Sequence, residues 1–287
     1  MTDAVADRGP DGRGIWTDPA AGIGLGHQRL AIIDLSPTGV QPMANRSGRF
    51  VITYNGELYN APLLKRELET CGEQFRGTSD TELLLATIAT WGLERALPRF
   101  VRMFAFALWD RRDRVLSLVR DRIGKKPLFW YRRGNLLLFG SQMKALMSNR
   151  RFQRDLNQDA VAAYLRLAYV PSPTGIFSGV EKLAPGTLIQ FRQDGSIARN
   201  VYWDLGHCAE SGLRNPRSIT LDDAVEEADA LLRDAAIKQT LSDVPLGVFL
   251  SGGIDSSLVT ALLQTQVGSP RRRRREARAP AVAPCSR

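Results

Sequence analysis

Little in this chain could build a metal or disulfide framework. Its 287 residues include three cysteines, Cys71, Cys208 and Cys285, and two histidines, His27 and His207. The cysteines show no C-x-x-C spacing and leave one over in any pairing, which argues against a disulfide scaffold. Cys71 precedes Gly72 at what reads as a helix end, where a small buried apolar residue is expected rather than a nucleophile. Neither histidine has a second at ligand spacing, so no zinc site is legible. No apolar run approaches the roughly 20 residues that cross a bilayer, and no secretory apolar segment follows Met1. A cytoplasmic location is the default expectation.

Acid is scarce at one end only. The net charge is +9, which taken alone raises nucleic acid or an acidic membrane as partner. Residues 270–287, however, carry seven arginines against the single acid Glu276. Two-thirds of the net charge therefore sits in a tail without aromatics to stack on bases. That composition predicts a solvated, disordered tail and no specific nucleic-acid partner.

The body has the 44% hydrophobic and 24% charged residues of an ordinary globular protein, with room for about two domains. Strand-like stretches run over 24–35, 50–54, 103–109, 115–119, 127–131 and 136–139, the last two joined through Arg132-Arg133-Gly134-Asn135 as a hairpin. Helices are expected over 62–71, with Pro at the start and Gly72 past the end, and over 81–91. A polar stretch over 207–217 reads as a linker. Beyond it, Thr220 with Asp223 predicts the start of a helix of about 20 residues. A buried strand and a further helix should follow, the opening of a parallel α/β sheet.

The most specific motif joins that strand to that helix. In Leu250-Ser251-Gly252-Gly253-Ile254-Asp255-Ser256-Ser257 two adjacent glycines let the backbone approach a phosphate. Three hydroxyls and a helix N-terminus supply donors and a favourable dipole. The loop has no Walker lysine, which suits ATP cleavage to pyrophosphate better than removal of the terminal phosphate. A Gly-Gly turn capped by Asp255 or Ser256 is the plainer alternative.

This loop resembles the PP-loop of ATP pyrophosphatases, and the blocks upstream resemble glutamine-hydrolysing asparagine synthetase. They include Arg8-Gly9-Pro10-Asp11-Gly12, Leu25-Gly26-His27, Arg29-Leu30-Ala31-Ile32-Ile33-Asp34-Leu35, Gln41-Pro42-Met43, Asn55-Gly56-Glu57-Leu58-Tyr59-Asn60, Ser79-Asp80-Thr81-Glu82 and Arg120-Asp121-Arg122. The resemblance implies an α+β Ntn-hydrolase-like glutaminase domain of layered αββα type over 1–205 and a linker over 206–218. The start of an α/β ATP pyrophosphatase domain would occupy 219–267, and the basic tail 268–287. In that family the first domain frees ammonia from glutamine. The second activates aspartate as its adenylate, which the ammonia attacks. Glutamine, aspartate, ATP and Mg2+ are thus the implied small molecules, with a homodimer as a possible assembly.

Carried over position by position, Arg29 would grip the glutamine carboxylate and Asp80 its ammonium. Asn55 and the Gly56 N–H would form the oxyanion hole, with Glu57 beside them. Leu250, Ser251, Gly252, Gly253, Asp255, Ser256 and Ser257 would bind ATP. The family's nucleophile is an N-terminal cysteine acting with its own α-amino group. Here Thr2 stands at that position, and the five residues between it and Arg8 are expected to be too short a spacer to bring it into the pocket. The chain also departs from the family pattern at Asp7, where His is usual, at Arg102, where Gly is usual, and at Lys125 and Gln142, where Glu is usual. Each departure taken alone is compatible with a neutral surface change. The resulting expectation is an asparagine synthetase homologue that is inactive as written. The alternatives are an amidotransferase acting on a sugar carboxylate, or a non-catalytic glutamine- or partner-binding protein.

Overall fold

The computed structural model describes residues 1–267 and 281–284, and the chain divides into two compact units, 1–211 and 212–287. Unit one is built on an antiparallel sheet of six strands in the order β11-β10-β6-β5-β4-β3. These are β3 (Met43–Ala44), β4 (Phe50–Leu58), β5 (Arg102–Asp110), β6 (Val115–Arg120), β10 (Thr187–Arg192) and β11 (Ile197–Val201). Side chains alternate across a strand, so β5 serves two cores. Phe104, Phe106 and Leu108 enter one; Ala105, Ala107 and Trp109 enter the other.

The first core is closed by helices α1 (Ala61–Thr70) and α2 (Asp80–Trp91), through Leu64, Leu68, Leu84 and Ile88. The second is covered by two small sheets. One pairs β1 (Gly12–Asp18) with β2 (Ile23–Arg29); the other runs β8-β7-β9, from β7 (Phe129–Arg133), β8 (Leu136–Gly140) and β9 (Val180–Lys182). Helix α4 (Met143–Met147) packs beneath that second sheet through Ala145 and Leu146. Helix, sheet, sheet and helix succeed one another, the layering that the sequence resemblance implied.

Several expectations need correction. The strand expected over 24–35 stops at Arg29. Beyond it Asp34 adopts a left-handed backbone, φ 56°, and its carboxylate accepts from Ser36, Thr38 and the Thr78 N–H, folding 34–39 into a side-chain-stitched loop. The polar stretch read as a linker is largely a helix, α6 (Leu205–Arg214), lacking any buried residue. Cys71 does lie at a helix end beside Gly72, φ 87°, but it is exposed.

In unit two, helix α7 (Leu221–Lys238) starts as its cap predicts: the Thr220 hydroxyl accepts from the Asp223 N–H. Strand β12 (Gly247–Leu250) leads through the glycine loop into α8 (Ile254–Val267). The strand was expected to be buried, yet Phe249 is 81% exposed. Residues 281–284 form β13 (Ala281–Pro284), parallel to β12, so this part of the expected disordered tail is a strand. Residues 268–280 and 285–287 lie outside the described residues. Between α4 and β9 lies one further helix, α5 (Gln158–Leu167), and a four-residue turn, α3 (Leu93–Ala96), follows α2.

Candidate functional site

A cleft of about 660 Å³ opens over the second core, walled by β2 and β8 and floored by β4 and β5. Arg29, Asn55, Gly56, Glu57 and Asp80 all line it. They come from β2, β4 and the first residue of α2, so folding gathers positions spread over more than fifty residues of sequence.

Asp80 is held most tightly. Its Oδ2 accepts from the Tyr54 hydroxyl at 3.0 Å and from the Leu58 N–H at 3.1 Å. Burial dominates over those bonds and pushes its carboxyl up to about 6. Gln41 braces the same corner, accepting from the Tyr54 N–H at 2.7 Å and donating to Thr81 Oγ1 at 3.1 Å. Arg29 reaches away along the stitched loop, donating to the carbonyls of Ser36 at 3.0 Å and Asp34. Two of its five N–H donors are thereby committed.

Asn55 donates to Ser141 Oγ at 3.4 Å. Gly56 must be glycine, because a Cβ there would collide with the Met103 carbonyl oxygen and lie 2.8 Å from Phe104 Cβ. Glu57 is half-buried, and burial raises its carboxyl, offset by Lys126 and then Lys125.

The cleft also takes in residues given no role by sequence reasoning. His27 donates from Nε2 to the Tyr54 carbonyl at 3.1 Å, and burial lowers its imidazole to about 4, so it is neutral at pH 7. Tyr54 and Gln41 bind no expected ligand group, yet they position the Asp80 corner. The signal that could have found His27 and Gln41 was adjacency, since both lie inside the matched blocks.

Thr2 corrects an expectation. It lines the cleft, and a Cβ added to Gly26 would lie 3.3 Å from Thr2 Cβ. The short spacer suffices because it coils into a 3-10 turn, Asp3–Arg8, beside β2. The departures from the family pattern are not all surface changes either. Lys125 and Gln142 line the cleft, and the guanidinium nitrogens of Arg102 are buried without a hydrogen-bond partner. Asp7 alone is a plain exposed partner, of Lys144 at 2.6 Å.

In unit two the glycine loop is exposed around Gly252, whose φ of 83° suits glycine. No atom lies within 4 Å of where its Cβ would be. Ser251 Oγ meets Ser256 Oγ at 3.0 Å and accepts from the Gly253 N–H at 3.4 Å. Hydroxyls and N–H groups thus cluster around open space at the N-terminus of a 14-residue helix.

Residues 1–203 match the glutamine amidotransferase domain family, and residues 227–277 match asparagine synthase. Glutamine-hydrolyzing asparagine synthetase 3 of Bacillus subtilis is 38% identical over 266 residues, which cover 91% of this chain and 41% of that protein. Putative glutamine-hydrolyzing asparagine synthetase 2 of Methanocaldococcus jannaschii is 34% identical over 283 residues, covering 92% and 53%. The chain therefore spans about half or less of the length of these curated relatives. Among solved structures, glutamine phosphoribosylpyrophosphate amidotransferase from B. subtilis aligns with a TM-score of 0.48 at 19% identity, covering 70% of this chain and 45% of that one. On the family match over its first 203 residues, the chain belongs to the glutamine amidotransferase domain family and carries, after that domain, a segment of the asparagine synthase family.

Proposed function

We propose that the cleft of unit one binds glutamine and that the glycine loop of unit two binds the phosphates of ATP, as the two ends of an asparagine-forming amide transfer to aspartate. The observation that carries the first half is the convergence of Arg29, Asn55, Gly56, Glu57 and Asp80 on one cleft. In this reading the uncommitted donors of Arg29 meet the substrate carboxylate and Asp80 its ammonium. The Asn55 amide and the Gly56 N–H face the side-chain carbonyl, where an oxyanion would develop during hydrolysis. Glu57 and Ser141 position that end.

No cysteine is among the cleft residues. A hydroxyl at Thr2 is a far weaker nucleophile than a thiol at neutral pH. The 287-residue polypeptide therefore binds glutamine without turning it over at a useful rate. For the second half, Ser251, Gly252, Gly253, Ser256 and Ser257 would hold the phosphates, with the Leu250 backbone and Asp255 at the rim. The metal accompanying them in this reading is Mg2+, which neutralises phosphate charge.

The experiment is calorimetric titration of glutamine into the purified chain. Binding that disappears in Asp80→Ala and falls strongly in Arg29→Ala is the expected result, since removing one partner of a desolvated charge pair costs several kcal/mol. Binding that both variants leave intact would show that these residues do not form the glutamine site.

A further inference from the structure

The charge lining the cleft is unbalanced. Among the described residues its walls carry four cationic side chains, Arg8, Arg29, Lys125 and Lys126, and two carboxylates, Glu57 and Asp80. His27 is neutral at pH 7 and adds nothing. Arg102 lies outside the lining, with its guanidinium carbon 3.2 Å from the Phe100 ring centroid and 3.8 Å from that of Phe104. Arg29 and Asp80 match the carboxylate and ammonium of an amino acid's backbone end. Three cations, Arg8, Lys125 and Lys126, then remain against Glu57.

The two lysines belong to the oxyanion end. Asp121 Oδ2 accepts from the N–H groups of Lys126 at 3.1 Å and of Phe104 at 3.2 Å, and Phe104 stands opposite Gly56 in the β4–β5 register. One carboxylate oxygen thus ties the lysine backbone to the strand that pairs with Asn55, Gly56 and Glu57. Lys125 is held in the same way, its N–H donating to Asp121 Oδ1 at 3.0 Å. Lys125 is exposed and Lys126 partly buried, and among the described residues neither ammonium group makes a hydrogen bond or close ion pair. Their field reaches Glu57, whose carboxyl both lower against the rise that burial imposes.

A ligand carboxylate offers oxygen to the Asn55 and Gly56 donors as an amide carbonyl does, and it also meets two ammonium groups that Glu57 offsets only once. Hydrogen bonds to an ionised group are about twice as strong as neutral ones. An amide's NH2 group, by contrast, points donors at lysines that can only donate. A cleft lined by an excess of one sign concentrates ligands of the other.

We propose that the cleft holds L-glutamate in preference to L-glutamine, with Lys125 and Lys126 as the specificity-determining pair. The inference rests on the glutamine reading of the cleft and deepens it. Arg29 and Asp80 serve both ligands alike, and only the side-chain end tells them apart. Glutamate is glutamine after its amide nitrogen has left as ammonia, so the preference makes this a product-retaining site.

Calorimetric titration of each amino acid into the full chain at neutral pH is the test. At low salt L-glutamate should bind at least about tenfold more tightly than L-glutamine, and the preference should shrink at about 1 M salt, where the Debye length is about 3 Å. Lys125→Glu, on an exposed side chain, should lower the ratio of the two affinities by at least about tenfold. The double variant Lys125→Gln with Lys126→Gln removes both ammonium groups without adding an anion and should abolish the preference. Asp80→Ala should weaken both ligands together, because they share the site. A wild type that binds glutamine as tightly as glutamate would overturn the inference and leave the cleft assignment standing. So would a glutamate preference that both lysine variants leave untouched, or glutamate binding that survives Asp80→Ala. If the wild type binds neither amino acid, the cleft assignment fails and the inference falls with it.

Discussion

The Tyr54 hydroxyl donates to Asp80 at 3.0 Å, tying the middle of β4 to the first residue of α2 and fixing a carboxylate at the edge of the cleft. Two groups at this corner titrate in opposite senses. Asp80 is raised from 3.8 to about 6 by burial, and His27 is lowered from 6.5 to about 4 by burial.

The pH dependence of stability follows. A carboxyl raised on folding binds its proton more tightly in the native state, so its contribution is lost as pH rises from about 4 to about 6. A depressed imidazole does the reverse, favouring the fold as pH rises from about 4 to 6.5. The two slopes oppose one another in the same window. Asp80→Asn should therefore make stability climb with pH across this range, and His27→Gln should make it fall, each by on the order of 2–3 kcal/mol. Urea denaturation at pH 4, 5, 6 and 7 measures both, and parallel profiles for the two variants would contradict the assignment.

Arg102 should be a net cost to the fold. Replacing a buried, unpaired charge with an apolar side chain of similar length is commonly stabilising by about 1–4 kcal/mol. Arg102→Met should raise the denaturation midpoint without changing the m-value, and a lowered midpoint would mean that stacking on Phe100 and Phe104 outweighs the desolvation.

Much of this architecture was legible because it is periodic or capped. The apolar run of β5, the Thr220 cap of α7 and the Gly134-Asn135 turn between β7 and β8 each announce themselves locally. What was not legible depends on contacts distant in sequence. The end of β2 at Arg29 is set by an Asp34 carboxylate that reaches Thr78, 44 residues away. Similarly, no local signal reveals that Arg102 is buried among rings or that a coiled spacer brings Thr2 to the cleft. The apolar run of β12 read as a buried strand, although Phe249 is exposed. Hydrophobicity reports what a strand could bury and not whether a neighbour is present to cover it.

Gly56 provides a steric test of the oxyanion corner. A methyl group at this position meets the Met103 carbonyl and Phe104 Cβ, both on the paired strand and unable to yield cheaply. Gly56→Ala should cost about 1–3 kcal/mol and abolish glutamine binding. An unperturbed melting curve would show that β4 and β5 can separate at this point.

The 287-residue polypeptide should release no ammonia from glutamine above the rate of Thr2→Ala. Thr2 borders the cleft, but a hydroxyl lacks the few per cent thiolate that makes cysteine reactive at pH 7. Coupled glutamate detection is sensitive enough to decide the matter. Turnover that vanishes in Thr2→Ala would promote Thr2 to the nucleophile.

Asp121 should be among the most sensitive positions for stability. Its side chain is buried, with Oδ1 accepting from the N–H groups of Ile123, Gly124 and Lys125, and Oδ2 from those of Phe104 and Lys126. The next residue back, Arg120, donates to the carbonyls of Gly124, Lys126 and Leu183, so the pair satisfies both polarities of the 121–127 loop that borders the cleft. Asp121→Ala removes the acceptor of all five N–H groups, of which Gly124 keeps a bond to the residue-121 carbonyl at 3.1 Å, and should cost about 3–5 kcal/mol. Asp121→Asn separates a charge effect from a count of acceptors. Its amide nitrogen must face either the Oδ1 or the Oδ2 set of N–H groups, donor against donor, so it should recover less than half of the loss in a urea titration. Wild-type stability in Asp121→Asn would mean that the loop relaxes around a single acceptor oxygen and that the bond network does not define its shape.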